Sequence, residues 1–237
     1  MQPNEQQLAA VVDMLEEDIV LGRLRPNQEL LEDMLMSRFD IKRHLARAAI
    51  VDLTASGLVV KPRYKSARVK DYSPAEVHWI YDVRITLCKR AIETMNLPGD
   101  APLLQALKET HEAHGQAVKE QRLRDIRMYN DRFHDLVFGA CANPYLIADI
   151  ERYDHLSDPI RSTGISRQEW LTQAIRDHAA ILDAIERGDR DALIELIVTH
   201  MLPVRDAWLA ARQMMVPDDK DADDPARGKV REPAPLA

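Results

Sequence analysis

Apolar residues recur at helical spacing along most of this chain, and the gaps between the stripes divide it in two. Leu8, Val12, Leu15 and Ile19 fall four, three and four apart. That spacing predicts a helix over 6–21, stopped by Gly22, with Pro26 keeping the next segment extended. A short helix over 31–38 and a tight turn at Asp40–Ile41 follow. A third helix over 42–56 has Ala46, Ala49, Ile50 and Leu53 inward and Gly57 at its end. Leu58-Val59-Val60 and Ala67-Arg68-Val69 read as two short strands joined by a loop at 63–66. Helix, helix, turn, helix, hairpin is the order of a winged helix-turn-helix domain.

Asp71-Tyr72-Ser73-Pro74 marks a linker, in which Ser73 can cap a helix that has Pro74 at its first position. Helices are then predicted over 74–95, 101–120, 122–142, 144–160, 166–187 and 189–214. The breaks between them contain Pro98-Gly99, Asn143-Pro144, Ser162-Thr163-Gly164 and Gly188-Asp189, and Pro203 is expected to kink the last helix. The expected fold is mainly α. A winged helix-turn-helix domain occupies 1–72 and an all-α antiparallel bundle of six to seven helices occupies 73–215. A tail over 216–237, rich in Asp, Pro, Lys and Ala, is expected to be disordered.

Composition agrees with a helical globular protein: 237 residues, 46% apolar and 30% charged, with only eight Gly and 5% aromatics. No apolar run approaches membrane-spanning length, and Glu5, Asp13, Glu16, Glu17 and Asp18 interrupt any secretory apolar core. The two cysteines, Cys88 and Cys141, lie in apolar helical contexts and suit reduced, buried thiols in a cytoplasmic protein. Charge changes the picture more. Residues 38–70 carry nine Lys/Arg against two Asp/Glu, net +7, within a chain of net −7, so the remainder carries −14. A basic block inside an acidic chain points to one face built for a polyanion, most often nucleic acid.

The order within that block gives it a geometry. In a helix-turn-helix the second helix of the motif enters the major groove with its early residues at the base edges. Here that helix begins Lys42-Arg43-His44. Arg47 follows four residues after Arg43, so both arginines project from one side. Arginine grips guanine O6 and N7 together. Arg63, Lys65 and Arg68 lie around the hairpin loop, where a wing presses on the DNA backbone or the minor groove. Ordinary surface arginines are the bland alternative for any one of these residues.

The second half carries a different chemistry. His134 follows Asn130 by four residues on one helix, and His178 and His200 lie on the last two. Each falls on its helix's apolar stripe. Three imidazoles converging inside a bundle most economically share a metal ion; a satisfied core hydrogen bond is the alternative for each alone. Arg84 sits mid-stripe on the helix over 74–95 and needs an anion, with Glu93 or the region of Asp82 as internal candidates. His111 and His114 share another stripe with Leu104, Leu107 and Val118; they could line the same cavity or replace one ligand, and rank as candidates for the pocket wall or for an outer layer behind the ligands. Asp131 is a candidate substitute ligand, and Asp177 is expected to face solvent.

Two sets of residues resemble a known family. Leu24-x-Pro26-x-x-x-Leu30-x-Glu32-x-x-Leu35, Phe39-x-Ile41-x-Arg43-x-x-x-Arg47 and Leu53-x-x-x-Gly57-Leu58-Val59 resemble the GntR family of bacterial transcription regulators. Asn130-x-x-Phe133-His134, Asp177-His178-x-x-Ile181-Leu182-x-Ala184-Ile185-x-x-Gly188-Asp189 and His200 resemble the FCD ligand-binding domain of its FadR-type branch. Together the resemblance spans nearly the whole ordered chain. It implies that Arg43 and Arg47 contact an operator. It implies that Asn130, His134, His178 and His200 hold a divalent ion such as zinc, nickel or manganese, and that Arg84 grips a small carboxylate effector. The chain departs from the pattern at Asn27, Asp40, Lys42, Leu45-Ala46, Ala48 and Lys65-Ser66. Losing Ser at 42 removes the usual cap of the recognition helix, a role Asp40 is expected to take. Asn130, where many members have Asp, is a weaker oxygen ligand.

The expectation is a cytoplasmic homodimeric repressor with no membrane association, binding an inverted-repeat operator in double-stranded DNA and modulated by a small organic acid. The alternatives are a metal-dependent hydrolase or lyase using the His cluster, which needs a general base beside the metal, and a metal-free regulator.

Overall fold

Two hydrophobic cores organise the chain, and each is closed by the faces the sequence pattern marks. A computed structural model describes residues 3–165 and 167–215; the predicted tail over 216–237 lies outside the described residues. The first module contains α1 (Pro3–Val20), β1 (Glu29–Leu30), α2 (Glu32–Phe39), α3 (Arg43–Ala55), β2 (Val59–Val60) and β3 (Ala67–Val69). Val11, Leu15 and Ile19 of α1, Leu35 of α2, and Ala46, Ala49, Ile50 and Leu53 of α3 are buried together with Leu58, Val59, Ala67 and Val69. The face of α1 is therefore rotated slightly from the expected stripe: Val11 is buried, while Leu8 and Val12 pack only at its edge.

The three strands form an antiparallel sheet in the order β1-β3-β2. Glu29 pairs with Arg68 and Val60 with Arg68, so β3 is the central strand. Strand β1 has no counterpart in the sequence reading, because two residues are too few to show an alternation. Gly57 ends α3 at φ +82°, and a Cβ there would come within 2.5 Å of Leu156 in the second module. Gly57 thus permits both the left-handed turn and the close approach of the two modules.

The second module is α4 (Pro74–Thr94), α5 (Ala101–Lys119), α6 (Leu123–Gly139), α7 (Pro144–Ile165), α8 (Gln168–Arg187) and α9 (Arg190–Met215). Ser73 caps α4 as expected, in a reciprocal box: its Oγ accepts from the Glu76 amide at 3.2 Å, and its own amide donates to the Glu76 carboxylate at 3.0 Å. Helix α7 runs on to Ile165, through the predicted break at 162–164 and with Pro159 inside it. A lone helical glycine costs only about 1 kcal/mol, and Ile160 is buried in the bundle core there. Helix α9 likewise continues as one element past Pro203. Phe133, Ile160, Ile181, Ile185 and Leu193 centre the core. Cys88 and Cys141 are free and buried, and burial pushes the Cys88 thiol up to about 12.

The modules meet through α1 and α7 and through one carboxylate. Asp71 accepts from Asn27 Nδ2 (2.8 Å) with one oxygen and from Arg212 (2.6 Å) with the other. Asn27 stands at φ +65°, a conformation that asparagine tolerates better than most residues.

Candidate functional site

Seven of the nine basic residues between 38 and 70 are exposed, and Arg68 and Lys70 are half-buried. Asp40 adopts φ +49°, ψ +49° and ends α2, its amide donating to the Met36 carbonyl. It does not cap α3, contrary to expectation, because a left-handed residue at the end of one helix cannot also reach the first amides of the next. Lys42 is the N-cap, with no side-chain cap bond, so Arg43 and His44 form the first turn. The first amides of a helix have no partner within it, and here no side-chain cap takes them up. Lys42, Arg43, His44 and Arg47 are all exposed. The two arginines are held by α2: Arg43 lies 2.8 Å from Asp33, and Arg47 Nε donates to Glu32 at 2.9 Å. These contacts are solvent-exposed and worth little individually; Glu32 lies between the two arginines, 3.7 Å from Arg43 as well as bonded to Arg47.

Lys65 is exposed on the wing, whereas Arg68 sits on the central strand and is half-buried. The wing tip is Tyr64, 90% exposed and left-handed at φ +63°, with the Arg63 guanidinium 4.9 Å from its ring. A bulky residue in that conformation at full exposure is strained. The pattern reading passes over it because a lone tyrosine in a loop carries no periodic signal.

The second site is a cavity of about 120 Å³ inside the bundle. His134 and His200 line it and His178 packs against both, with one ring nitrogen from each of the three lying within 4.8 Å of the others. His178 is central: its ring stacks on Phe133 at 4.1 Å and lies 5.1 Å from His134 and 5.0 Å from His200. Both of its ring nitrogens are buried without a hydrogen-bond partner. Desolvation holds His134 and His178 well below the ordinary imidazole range, so both are neutral, with lone pairs available. His200 is oriented from behind. Its Nδ1 lies 3.0 Å from Asp177 Oδ2, which leaves Nε2 directed at His134 Nε2, 3.2 Å away. Asp177 is therefore half-buried and engaged, not facing solvent as expected. Burial works to raise its pKa, but bonds to His200 and Gln173 bring it below the usual value. Ring nitrogens of three imidazoles within 4.8 Å of one another, those of His178 without a hydrogen-bond partner, form a donor set that fits a borderline divalent cation.

Asn130 lines the same cavity, with its amide nitrogen donating to Asp131 at 3.2 Å. Arg84 is 7% exposed and bonds Asp154 on α7: Nε donates to Oδ1 at 2.9 Å, and Nη2 reaches the same oxygen. Its partner is neither Asp82, which is exposed, nor Glu93, which pairs with Arg90. Burial alone would lower the Arg84 pKa; the Asp154 carboxylate outweighs this and holds it above the ordinary value. Asp131, considered above as a ligand, accepts from Arg161 at 2.5 Å and lies 3.5 Å from Arg127. Asp158 completes that cluster with both arginines.

Tyr81 borders the cavity with its hydroxyl buried and unpartnered. Asp154, Asp158 and Arg161 escape the sequence reading. Their signal was available: they fall four and three residues apart, a helical face carrying charge at core spacing. Val20, at the end of α1, is part of the same cavity wall.

Against known proteins, residues 79–202 match the family described as FCD domain, and residues 7–69 match bacterial regulatory proteins, gntR family. The HTH-type transcriptional repressor RspR of Escherichia coli (strain K12) is 23% identical over 213 residues, 90% of this chain and 92% of its own. The HTH-type transcriptional repressor GlaR of the same organism is 24% identical over 196 residues, 79% and 89% respectively. Among solved structures, a GntR regulator from Rhodococcus sp. RHA1 superposes with a TM-score of 0.72 at 16% identity, covering 87% of this chain and 99% of that one. E. coli McbR/YncC gives 0.69 at 17% identity, covering 87% and 98%. At such identities the likeness speaks for the fold.

Proposed function

The chain belongs to the gntR family of bacterial regulatory proteins, with an FCD domain behind its DNA-binding module, and from there we propose a repressor whose hold on its operator is set by a small carboxylate and a divalent cation in the helical cavity. As a member of that family it is a transcriptional regulator. Residues 1–72 are the reader, with Lys42, Arg43, His44 and Arg47 on base edges and phosphates and Lys65 and Arg68 in the wing. Residues 73–215 are the sensor. Two copies reading an inverted repeat make the working unit a homodimer, acting in the cytoplasm where the operator is. The repressor assignment draws on RspR and GlaR, both named repressors.

The observation that carries the sensor half is the partnerless state of His178 at the centre of three imidazoles. A buried polar ring without partners costs stability unless an occupant supplies them. A cation held by His134, His178 and His200, with Asn130 beside them, supplies Lewis-acid attraction for an anionic ligand when bound. Arg84 sits in the same wall to receive the ligand's carboxylate by exchange with Asp154. A hydrolytic reading needs a free carboxylate beside the cation. The cavity's carboxylates, Asp131, Asp154 and Asp158, are each committed to arginine, which favours the regulator.

Coupling has two routes. Val20 brings the end of α1 into the cavity wall, and α9 carries His200 at the site and Arg212 on the linker carboxylate of Asp71. Twelve residues of helix separate those two contacts by about 18 Å. A ligand that binds the two domain arrangements unequally shifts operator affinity by that difference.

The test is a thermal-shift screen of mono- and dicarboxylates, with and without zinc, nickel or manganese, run beside operator binding. Stabilisation that needs cation and carboxylate together, and that alters operator affinity, is the expected result. Stabilisation by carboxylate unaffected by a chelator would favour a metal-free sensor. No stabilisation by any combination would remove the sensor reading.

A further inference from the structure

We propose that Tyr81 is a specificity-determining contact for the cavity's ligand. Its hydroxyl donates to an oxygen on the carbon beside the carboxylate that Arg84 holds, so the cavity selects 2-hydroxy and 2-oxo acids over plain carboxylic acids. The proposal rests on the carboxylate reading of Arg84 above and does not depend on the cation.

Three observations carry it. The first is a stranded polar atom. Tyr81 is 1% exposed and lines the cavity, and its hydroxyl is buried with no hydrogen-bond partner. Phenylalanine would fill the same place without that oxygen. The second is that the ring is held where it is. Two guanidinium groups stand against it, Arg84 at 5.0 Å and Arg205 of α9 at 5.9 Å. Burial keeps the phenol above its ordinary range although the nearby arginines pull the other way, so it stays protonated and is a donor.

The third is the way Asp154 occupies Arg84. Nε and Nη2 both converge on Oδ1. A guanidinium fork is matched by two carboxylate oxygens side by side, so the internal partner leaves that match unmade. A ligand carboxylate that places one oxygen on each nitrogen makes the better pair. Both of its oxygens are then committed, and Tyr81 needs a further acceptor. Tyr81 and Arg84 are three residues apart on α4 and share a face. With the guanidinium only 5.0 Å from the ring, that acceptor stands on the adjacent carbon, not several carbons along the chain. A hydroxyl or oxo oxygen there supplies the lone pair that the phenol lacks.

A second tyrosine serves as the control. The Tyr72 hydroxyl is also buried without a partner, but Tyr72 packs in the bundle core and is no part of the cavity wall.

The test measures dissociation constants of the full-length protein by calorimetry for matched acids: propionate against lactate and pyruvate, and succinate against malate. Each is measured with zinc present and, in parallel, with a chelator. Wild type is expected to prefer the oxygenated acid by about threefold to tenfold, the scale of one neutral hydrogen bond. Tyr81→Phe should bind the members of each pair alike, and Tyr72→Phe should keep the wild-type preference. The ligand-free melting temperature of Tyr81→Phe should equal or exceed that of wild type, because an unpartnered buried oxygen is removed. A fall of more than about 2 °C would show a structural donor and overturn the proposal. A preference that persists in Tyr81→Phe also overturns it, and one that persists there but vanishes with the chelator assigns the selection to the cation. A wild type that binds these acids without preference overturns the proposal and leaves the Arg84 reading standing. A wild type that binds none of them overturns both.

Discussion

Substituting Asp154 by alanine should make the metal-free protein fragile and its carboxylate response larger, both for one reason. Arg84 is 7% exposed in its side chain and Asp154 20%, so the pair is largely withdrawn from water. Removing one member of a fully buried pair costs about 3–5 kcal/mol, because the other charge is left without compensation. The partial exposure of Asp154 and the Tyr81 ring 5.0 Å from the guanidinium place this case at the lower end, about 3 kcal/mol. In a chain of this size each kcal/mol moves the melting temperature by about 2–4 °C, so the expected loss is about 6–12 °C. The stranded guanidinium is then open to a soluble carboxylate. A ligand at a hundred times its dissociation constant returns about 2.7 kcal/mol, most of the loss. Differential scanning fluorimetry with acetate and succinate, against chloride at matched ionic strength, measures both effects. An Asp154→Ala protein that melts within about 2 °C of wild type, or that gains no more from carboxylate than wild type does, would refute the assignment of Arg84 as the anion receptor.

Arg47→Ala should abolish specific operator binding in a mobility-shift assay while leaving cation- and carboxylate-dependent stabilisation intact, and His178→Ala should show the opposite profile. Equal damage to both activities in both folded variants would contradict the division of labour between modules. Tyr64→Gly removes a left-handed non-glycine residue and should stabilise the protein by about 1 kcal/mol; if the wing tip touches DNA, the same variant binds operator less tightly in fluorescence anisotropy. Neutralising Glu32 and Asp33 together should raise affinity for random-sequence DNA and steepen its salt dependence; an unchanged salt slope would show that these carboxylates do not restrain Arg43 and Arg47. His155 is raised above 6.5 by its bond to Asp158, with Glu16 of α1 adding to the effect. Its contribution is therefore complete below the ordinary imidazole value and disappears as pH climbs through the elevated one. The melting-temperature gap between wild type and His155→Gln should accordingly be widest on the acid side of the ordinary imidazole value and narrow as the pH rises above it.

The legible part of this protein was whatever a period of 3.6 or a terminator could encode. Ser73, Pro74, Gly57 and Gly188 punctuate the helices where expected, and the apolar stripes identified all three imidazoles of the triad. Features built across long separations were hidden. Arg84 was visible as a charge that needed an anion, yet its partner stands seventy residues away on another helix. Asp177 was read as solvent-facing because nothing in its own helix discloses that His200 packs over it. The two-residue strand β1 exists only through its pairing with β3. Residues 162–164 resembled a break because Ser, Thr and Gly disfavour helix locally, but tertiary burial of the flanking Ile160 carries α7 through them.

The N-terminal module contributes Val20 to the cavity wall, which makes that wall a composite of both modules. Under the ligand reading proposed above, the last turn of α1, ahead of the recognition helix in the chain, would share in selecting what the cavity accepts. A chimera that grafts this bundle onto a foreign winged helix at Ser73 would inherit a chamber with one panel replaced. A transplanted bundle keeps its chamber whole only if Val20 travels with it.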